Sequence, residues 1–160
     1  MVGIRPDAPL PRGLAERGYR FCHAFRVPYR DIDQQGQVFN ANYMAYIDYG
    51  FTEYFRYLGF PWREMEKYEF DVAVVRAVLD FRAPALLDDV LYVGVQATRL
   101  GNSSFDVRYC IWRDDEPEGT VILEAQLTYV NYDARTRRSR PIPPVIREAI
   151  ARVEGQIPGT

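Results

Sequence analysis

The chain has 160 residues, enough for a single domain with a real core. Its net charge of -2 argues against a general nucleic-acid binder. No run of about eighteen apolar residues is present to span a membrane, and two cysteines (Cys22 and Cys110) are too few for a disulfide framework or a cysteine metal site.

In chain order, residues 1–19 carry prolines, arginines and acids but no apolar segment of the kind a signal peptide needs, and read as an N-terminal tail. Arg20 to Pro28 alternates, with Phe21, His23, Phe25 and Val27 on one face, which predicts a strand. His23 is the only histidine; a multi-histidine metal site is therefore excluded, and any Ser-His or Cys-His pair would have to use this one strand residue. The working group of a hydrolase built on this chain is expected to be a carboxylate.

The loop from Tyr29 to Asn40 contains Asp31, Asp33 and Gly36, and opens into a predicted helix from Ala41 to Leu58. Tyr43, Ile47, Gly50, Phe51, Tyr54 and Leu58 form one helical stripe, with further aromatics around it, so the helix is expected to be buried on nearly all sides. Its polar remainder is narrow: Asp48, Thr52 and Arg56 four apart, read as a salt-linked network, with Glu53 beside them as a second candidate carboxylate. Gly59 and Pro61 stop the helix. Trp62 to Lys67 is a helical turn.

Phe70 to Phe81 is nearly continuous in apolar residues and predicts a central strand. Val90 to Arg99, Phe105 to Arg113 and Val121 to Tyr132 each alternate and are joined by short polar turns, which predicts an antiparallel meander. A basic loop with Arg135, Arg137, Arg138 and Arg140 follows, then a short helix from Pro143-Pro144 to about Glu154. The predicted domain thus runs from 20 to 154, with 155–160 as a C-terminal tail. An α+β architecture follows, one antiparallel sheet of about five strands wrapped around one long helix. One sheet cannot cover such a helix alone, so a second subunit is expected.

The segment from Val27 to Tyr43, with its Asp31, Asp33, Gly36 and Val38 spacing, resembles the signature of the 4-hydroxybenzoyl-CoA thioesterase family. Asp80 to Ala85, Asp88 to Leu91, Gly101 to Phe105 and Ile142-Pro143 match that family's downstream pattern. The resemblance implies the hotdog fold and a cytoplasmic acyl-CoA thioesterase without a metal or other cofactor, working as a homodimer or homotetramer. It implies Asp33 as nucleophile or general base, Gly36 in the turn that lets substrate approach, and the backbone N–H at Asn40 as oxyanion donor. Phe39, Tyr43 and Tyr46 are expected to contact the acyl group, and Arg99, Asn102, Ser103 and Ser104 the nucleotide. Asp31, separated from Asp33 by Ile32, is expected to point elsewhere and act structurally. An acyl-carrier-protein thioesterase and a non-catalytic acyl-CoA-binding domain are the alternatives.

Overall fold

The computed structural model describes residues 9–159. Six strands form the sheet: β1 (Cys22–Arg26), β2 (Val72–Phe81), β3 (Val90–Leu100), β4 (Ser104–Arg113), β5 (Thr120–Asp133) and the two-residue β6 (Arg138–Ser139). Their order is β1-β3-β4-β5-β2, with every pair antiparallel and β6 hairpinned onto β5. Alternation sets the two faces. Leu91, Val93, Val95 and Ala97 of β3, Phe105, Val107, Tyr109 and Ile111 of β4, and Leu123, Ala125, Leu127 and Tyr129 of β5 are all buried on the inner one.

The helix α2 (Asn42–Tyr57) packs on that face. Tyr43, Tyr46, Ile47, Gly50, Phe51, Tyr54 and Phe55 recur at helical spacing and are its buried residues. Phe51 stacks on Tyr129, with ring centroids 4.6 Å apart, and Gly50 lies against Val93 and Val95. The C-terminus closes as a Schellman motif: Gly59 takes φ +99°, and the Phe60 and Gly59 N–H groups donate to Phe55 and Arg56 carbonyls. His23 is buried in β1, edge-on to Tyr49 at 4.2 Å; burial lowers its pKa.

Three expectations need correction. First, α2 is not enclosed on all sides: Met44, Tyr49 and Tyr57 are exposed on its open face. Second, the Asp48–Thr52–Arg56 network does not form, because Arg56 turns to Glu53 at 3.3 Å. Third, β2 is an edge strand. Its valines read as doubly buried because a run of apolar residues on an open edge has the same pattern as one in a sheet centre. Val74, Val75, Val78 and Phe81 are exposed there.

The outer face carries a smaller cluster. In the segment expected as a tail, α1 (Arg12–Glu16) and the residues after it bring Leu14 and Tyr19 against Cys22, Cys110 and Trp112. The first eight residues of that segment, and Thr160, lie outside the described residues. At the other end α3 (Pro144–Glu154) buries Ile146, Ala149 and Ile150, and the backbone beyond it returns to the sheet through a Leu100 N–H to Pro158 carbonyl bond of 3.2 Å. Among the described residues, no helix is long and apolar enough to cross a membrane.

The contact under Gly50 is tight enough to test the packing. A Cβ there would stand 2.6 Å from Val93 Cγ1. Overpacking of this kind costs about 1–3 kcal/mol, against a helix-propensity gain for alanine of about 1 kcal/mol. Gly50→Ala is expected to lower stability by about 1 kcal/mol net, read as a lower urea midpoint at unchanged slope.

Candidate active site

The loop between β1 and α2 is a miniature hairpin. Ile32 and Val38 form an isolated bridge, the Asp33 N–H donates to the Gln37 carbonyl at 2.9 Å, and the Gly36 N–H donates back to the Asp33 carbonyl at 3.0 Å. Gly36 sits at φ +77°, a conformation that glycine adopts without strain and that makes so tight a return feasible. A second bridge, Gln37 to Leu86, and a Val38 N–H to Ala85 carbonyl bond of 2.9 Å fix the hairpin to the segment after β2.

Asp31 anchors this hairpin to α2. Its carbonyl accepts the Phe39 N–H at 2.9 Å and the Asn42 side-chain amide at 3.1 Å. Its carboxylate accepts the Tyr46 hydroxyl at 2.7 Å. Burial, reinforced by that bond, pushes the Tyr46 phenol up, so it stays a neutral donor. Tyr43, also raised by burial, accepts the Ala85 N–H at 3.2 Å through its hydroxyl and packs edge-on to Phe81.

Asp33 is held differently. Its Oδ1 accepts the Gln35 N–H at 2.8 Å; among the described residues its Oδ2 accepts nothing. At the start of α2 the Asn42 N–H is taken by the Phe39 carbonyl at 2.9 Å and the Tyr43 N–H by the Asn40 carbonyl at 3.4 Å. The Asn40 and Ala41 N–H groups find no acceptor among the described residues, and no side chain caps the helix. Asp33, Asn40 and Tyr43 line one open cleft of about 340 Å³ with Gln35, Gln37 and the Phe81–Pro84 segment. One half-held carboxylate and Asn40, with its free N–H, therefore meet on one cleft beside Tyr43 and Phe81. Such a set can supply a base or nucleophile and an oxyanion site.

The other expected residues separate into two places. Phe39 is exposed just outside the cleft, and Tyr46 is buried behind it with its hydroxyl engaged by Asp31. Arg99, Asn102, Ser103 and Ser104 lie at the β3–β4 turn and do not line the cleft. There Asp106 grips Arg99 through Nε–Oδ2 at 2.8 Å and Nη2–Oδ1 at 3.2 Å, with Ser104 Oγ accepting from the same guanidinium at 3.0 Å. The Asn102 carbonyl accepts the Ile142 N–H at 2.8 Å and Arg147 Nη2 at 3.0 Å, and the Ser103 carbonyl accepts the Asn131 N–H at 2.8 Å. Glu53 is paired with Arg56 and is not among the cleft residues. Sequence reasoning missed Gln35, Gln37 and Phe81 to Pro84 as cleft residues. For the last four the signal was present as a proline ending an apolar run.

A family profile described as the thioesterase-like superfamily matches residues 27–150, an interval that contains the hairpin, α2 and the sheet from β2 to β5. The acyl-CoA thioester hydrolase YbgC of Escherichia coli O6:H1 is 28% identical over 118 residues, 74% of this chain and 86% of that protein. The 1,4-dihydroxy-2-naphthoyl-CoA hydrolase of Synechococcus elongatus is 26% identical over 127 residues, 78% of this chain and 89% of that one. A solved structure, a thioesterase of Thermus thermophilus complexed with coenzyme A and Zn, matches with a TM-score of 0.74 at 28% identity, covering 87% of this chain and 97% of that one. The curled antiparallel sheet with its packed helices is the fold of these hotdog thioesterases.

The Arg99–Asp106 pair gives the β3–β4 turn a pH dependence. The hydrogen bond it accepts from Arg99 outweighs burial and, with the weaker contribution of the one from Thr128, holds the Asp106 carboxyl below its ordinary 3.8. The folded state therefore binds fewer protons there than the unfolded chain, and the pair stabilises above about pH 4 and ceases to do so as pH falls through the lowered value. At neutral pH Asp106→Asn is expected to cost about 1 kcal/mol. The gap to wild type should close below about pH 3.8 in urea titrations at a series of pH values.

Proposed function

The chain belongs to the thioesterase-like superfamily, and from that membership we propose that it hydrolyses acyl-CoA thioesters to the free acid and CoA. The observation that carries the reading is the meeting of Asp33 with the free Asn40 N–H on one cleft. The thioester carbonyl oxygen is assigned to the Asn40 and Ala41 N–H groups, with the carbonyl carbon toward Asp33. Asp33 either takes the proton of an attacking water or itself adds to the carbonyl to give a mixed anhydride that water then hydrolyses to the free acid and the Asp33 carboxylate; in both routes the C–S bond breaks and the CoA sulfur leaves as a thiolate to be protonated. The backbone donors are the larger contribution. One oxyanion donor is worth about 2.7–4 kcal/mol in comparable sites, against about 0.3–1 kcal/mol for the helix dipole on a nearby exposed charge.

Tyr43, Phe81 and Phe39 are assigned to the acyl group, with Tyr46 behind them as the buttress of Asp31. The nucleotide end is assigned to the β3–β4 turn, where Arg99 is presented by Asp106 and Asn102, Ser103 and Ser104 offer amide and hydroxyl groups. Names of similar proteins support the carrier: YbgC is an acyl-CoA thioester hydrolase, and the Thermus structure holds coenzyme A. A homodimer is the proposed working unit, because the cleft begins at Phe81, the last residue of the open β2 edge, whose valines Val74, Val75 and Val78 are exposed within one chain.

Asp33→Asn keeps the side chain's shape and its acceptor for the Gln35 N–H while removing the base. Turnover of a panel of acyl-CoA and acyl-carrier-protein thioesters, followed by thiol release, is expected to fall by about 100-fold or more with unchanged circular dichroism. Equal rates in the two proteins would remove Asp33 from the mechanism; acyl-CoA binding without turnover in wild type would leave a binding domain instead.

A further inference from the structure

We propose that Arg113 is a positioning residue of the cleft: it ties down the far end of the wall against which the acyl group lies, and so sets the fit of the site to that group. The proposal rests on the thioesterase reading above and adds to it a residue outside the cleft.

The wall is the segment Phe81–Pro84. The sheet holds its first part, where the Arg82 and Ala83 N–H groups both donate to the Ile122 carbonyl, at 2.9 and 3.1 Å. Its far end lacks that support, because Pro84 has no N–H to donate. The carbonyl is the one backbone group left for a tether. Among the described residues it accepts from Arg113 Nη1 alone, at 3.2 Å. The next residue, Ala85, donates its N–H to the Tyr43 hydroxyl at 3.2 Å, so a shift at Pro84 reaches a second cleft residue.

The place of Arg113 in β4 explains how it gets there. Phe105, Val107, Tyr109 and Ile111 form the buried inner row of that strand, and alternation puts Arg113 at its end, opposite Leu91 of β3. A guanidinium that ends an apolar row, on a side chain 24% exposed, needs partners. Two carboxylates supply them. The same Nη1 donates to Asp89 Oδ2 at 2.9 Å, and Nε donates to Asp115 Oδ2 at 3.0 Å. Each carboxylate is itself fixed. Asp89 Oδ2 also accepts the Leu86 N–H at 2.8 Å, and the Asp89 carbonyl accepts the Val27 N–H at 2.8 Å. Asp115 Oδ1 accepts the Thr120 hydroxyl at 2.8 Å. The planar fork of the arginine therefore reaches from the β4–β5 turn to the segment after β2.

Charge balance alone does not account for the third bond. Asp89 and Asp115 already neutralise the guanidinium, while the bond to Pro84 lands on a residue of the cleft. Arg113 itself does not line that cleft. The hairpin that carries Asp33 has its own ties to the same segment, the Val38 N–H to Ala85 carbonyl bond and the bridge from Gln37 to Leu86. Loss of Arg113 thus loosens the acyl wall more than the carboxylate, which affects substrate binding and leaves the chemical step.

Two variants separate charge from reach. Arg113→Gln removes both. Arg113→Lys keeps a cation between Asp89 and Asp115, but its ammonium ends one atom short of Nη1. Both are expected to raise KM by about tenfold for the bulkiest acyl-CoA that wild type accepts, with kcat within about twofold and a smaller rise for the shortest acyl group. Arg113→Lys should do so at an unchanged urea midpoint. Gly50→Ala, destabilised in the core and away from the cleft, should leave KM unchanged.

Unchanged KM in both arginine variants overturns the proposal, as does an equal rise in Gly50→Ala, which would make the effect a general loss of stability. A fall in kcat at constant KM overturns the assignment to the acyl wall. Absence of turnover in wild type removes the hydrolase reading by itself. Amide hydrogen exchange at Ala85 and Leu86 then decides the tether: faster exchange in both variants supports it, and unchanged exchange removes it.

Discussion

The candidate site depends on the grip of Asp31 on α2. Its carbonyl accepts two donors and its carboxylate a third, all from the stretch between Phe39 and Tyr46. These bonds tie the hairpin that carries Asp33 to the first turns of the helix that offers the free N–H groups. Without that tie, a loop with a glycine at positive φ would be free to sample other turns. The aspartate proposed to do chemistry is thus positioned by the neighbouring aspartate that does not. The division of labour has a simple basis: Asp31 ends a 3-10 turn over Tyr29–Asp31 while Asp33 opens the hairpin, and Asp31 commits its carboxylate to a phenol kept neutral by burial.

A similar division runs through the helix start. A helix leaves its first N–H groups unpaired unless something caps them. Here Phe39 and Asn40 carbonyls satisfy the Asn42 and Tyr43 donors in tightened turns, while the Asn40 and Ala41 donors stay open and no side chain competes for them. A serine or aspartate at the cap position, Ala41, would take the Tyr43 or Met44 N–H and stabilise the helix by about 1 kcal/mol, a gain this chain forgoes. An uncapped helix start beside a half-held carboxylate therefore fits a site better than it fits a stability device.

Much of this was legible in the residues. The strand–helix–meander order follows from two periodicities, and the helix stripe from Tyr43 to Leu58 names most of the α2 core correctly. The Asp31/Asp33/Gly36 spacing marked the hairpin, but strand alternation does not separate two aspartates that stand two residues apart; the 3-10 turn over Tyr29–Asp31 does. What the sequence hid was context. A valine run looks alike in the middle of a sheet and on an open edge, so β2 read as central. Aromatic residues on several faces of a helix looked like burial on all sides, although Tyr49 and Tyr57 stay exposed. Phe81 to Pro84 joined the cleft only because the bridge from Gln37 to Leu86 folds the β2–β3 connection onto the hairpin, a contact between segments almost fifty residues apart that no local pattern encodes.

These two misreadings have one physical cause. Apolar side chains at β2 and around α2 make sense on burial grounds, but within a single chain part of that surface has nothing to bury it. A natural edge usually carries charges, prolines or bulges against unwanted pairing. On β2 there is a bulge near Val75 and two opposite charges four residues apart, Arg76 and Asp80. Charges so placed do not keep every strand away. An edge that is apolar and only lightly charged leaves Val74, Val75, Val78 and Phe81 as surface that this chain alone does not bury, and Phe81 brings that surface to the rim of the proposed site.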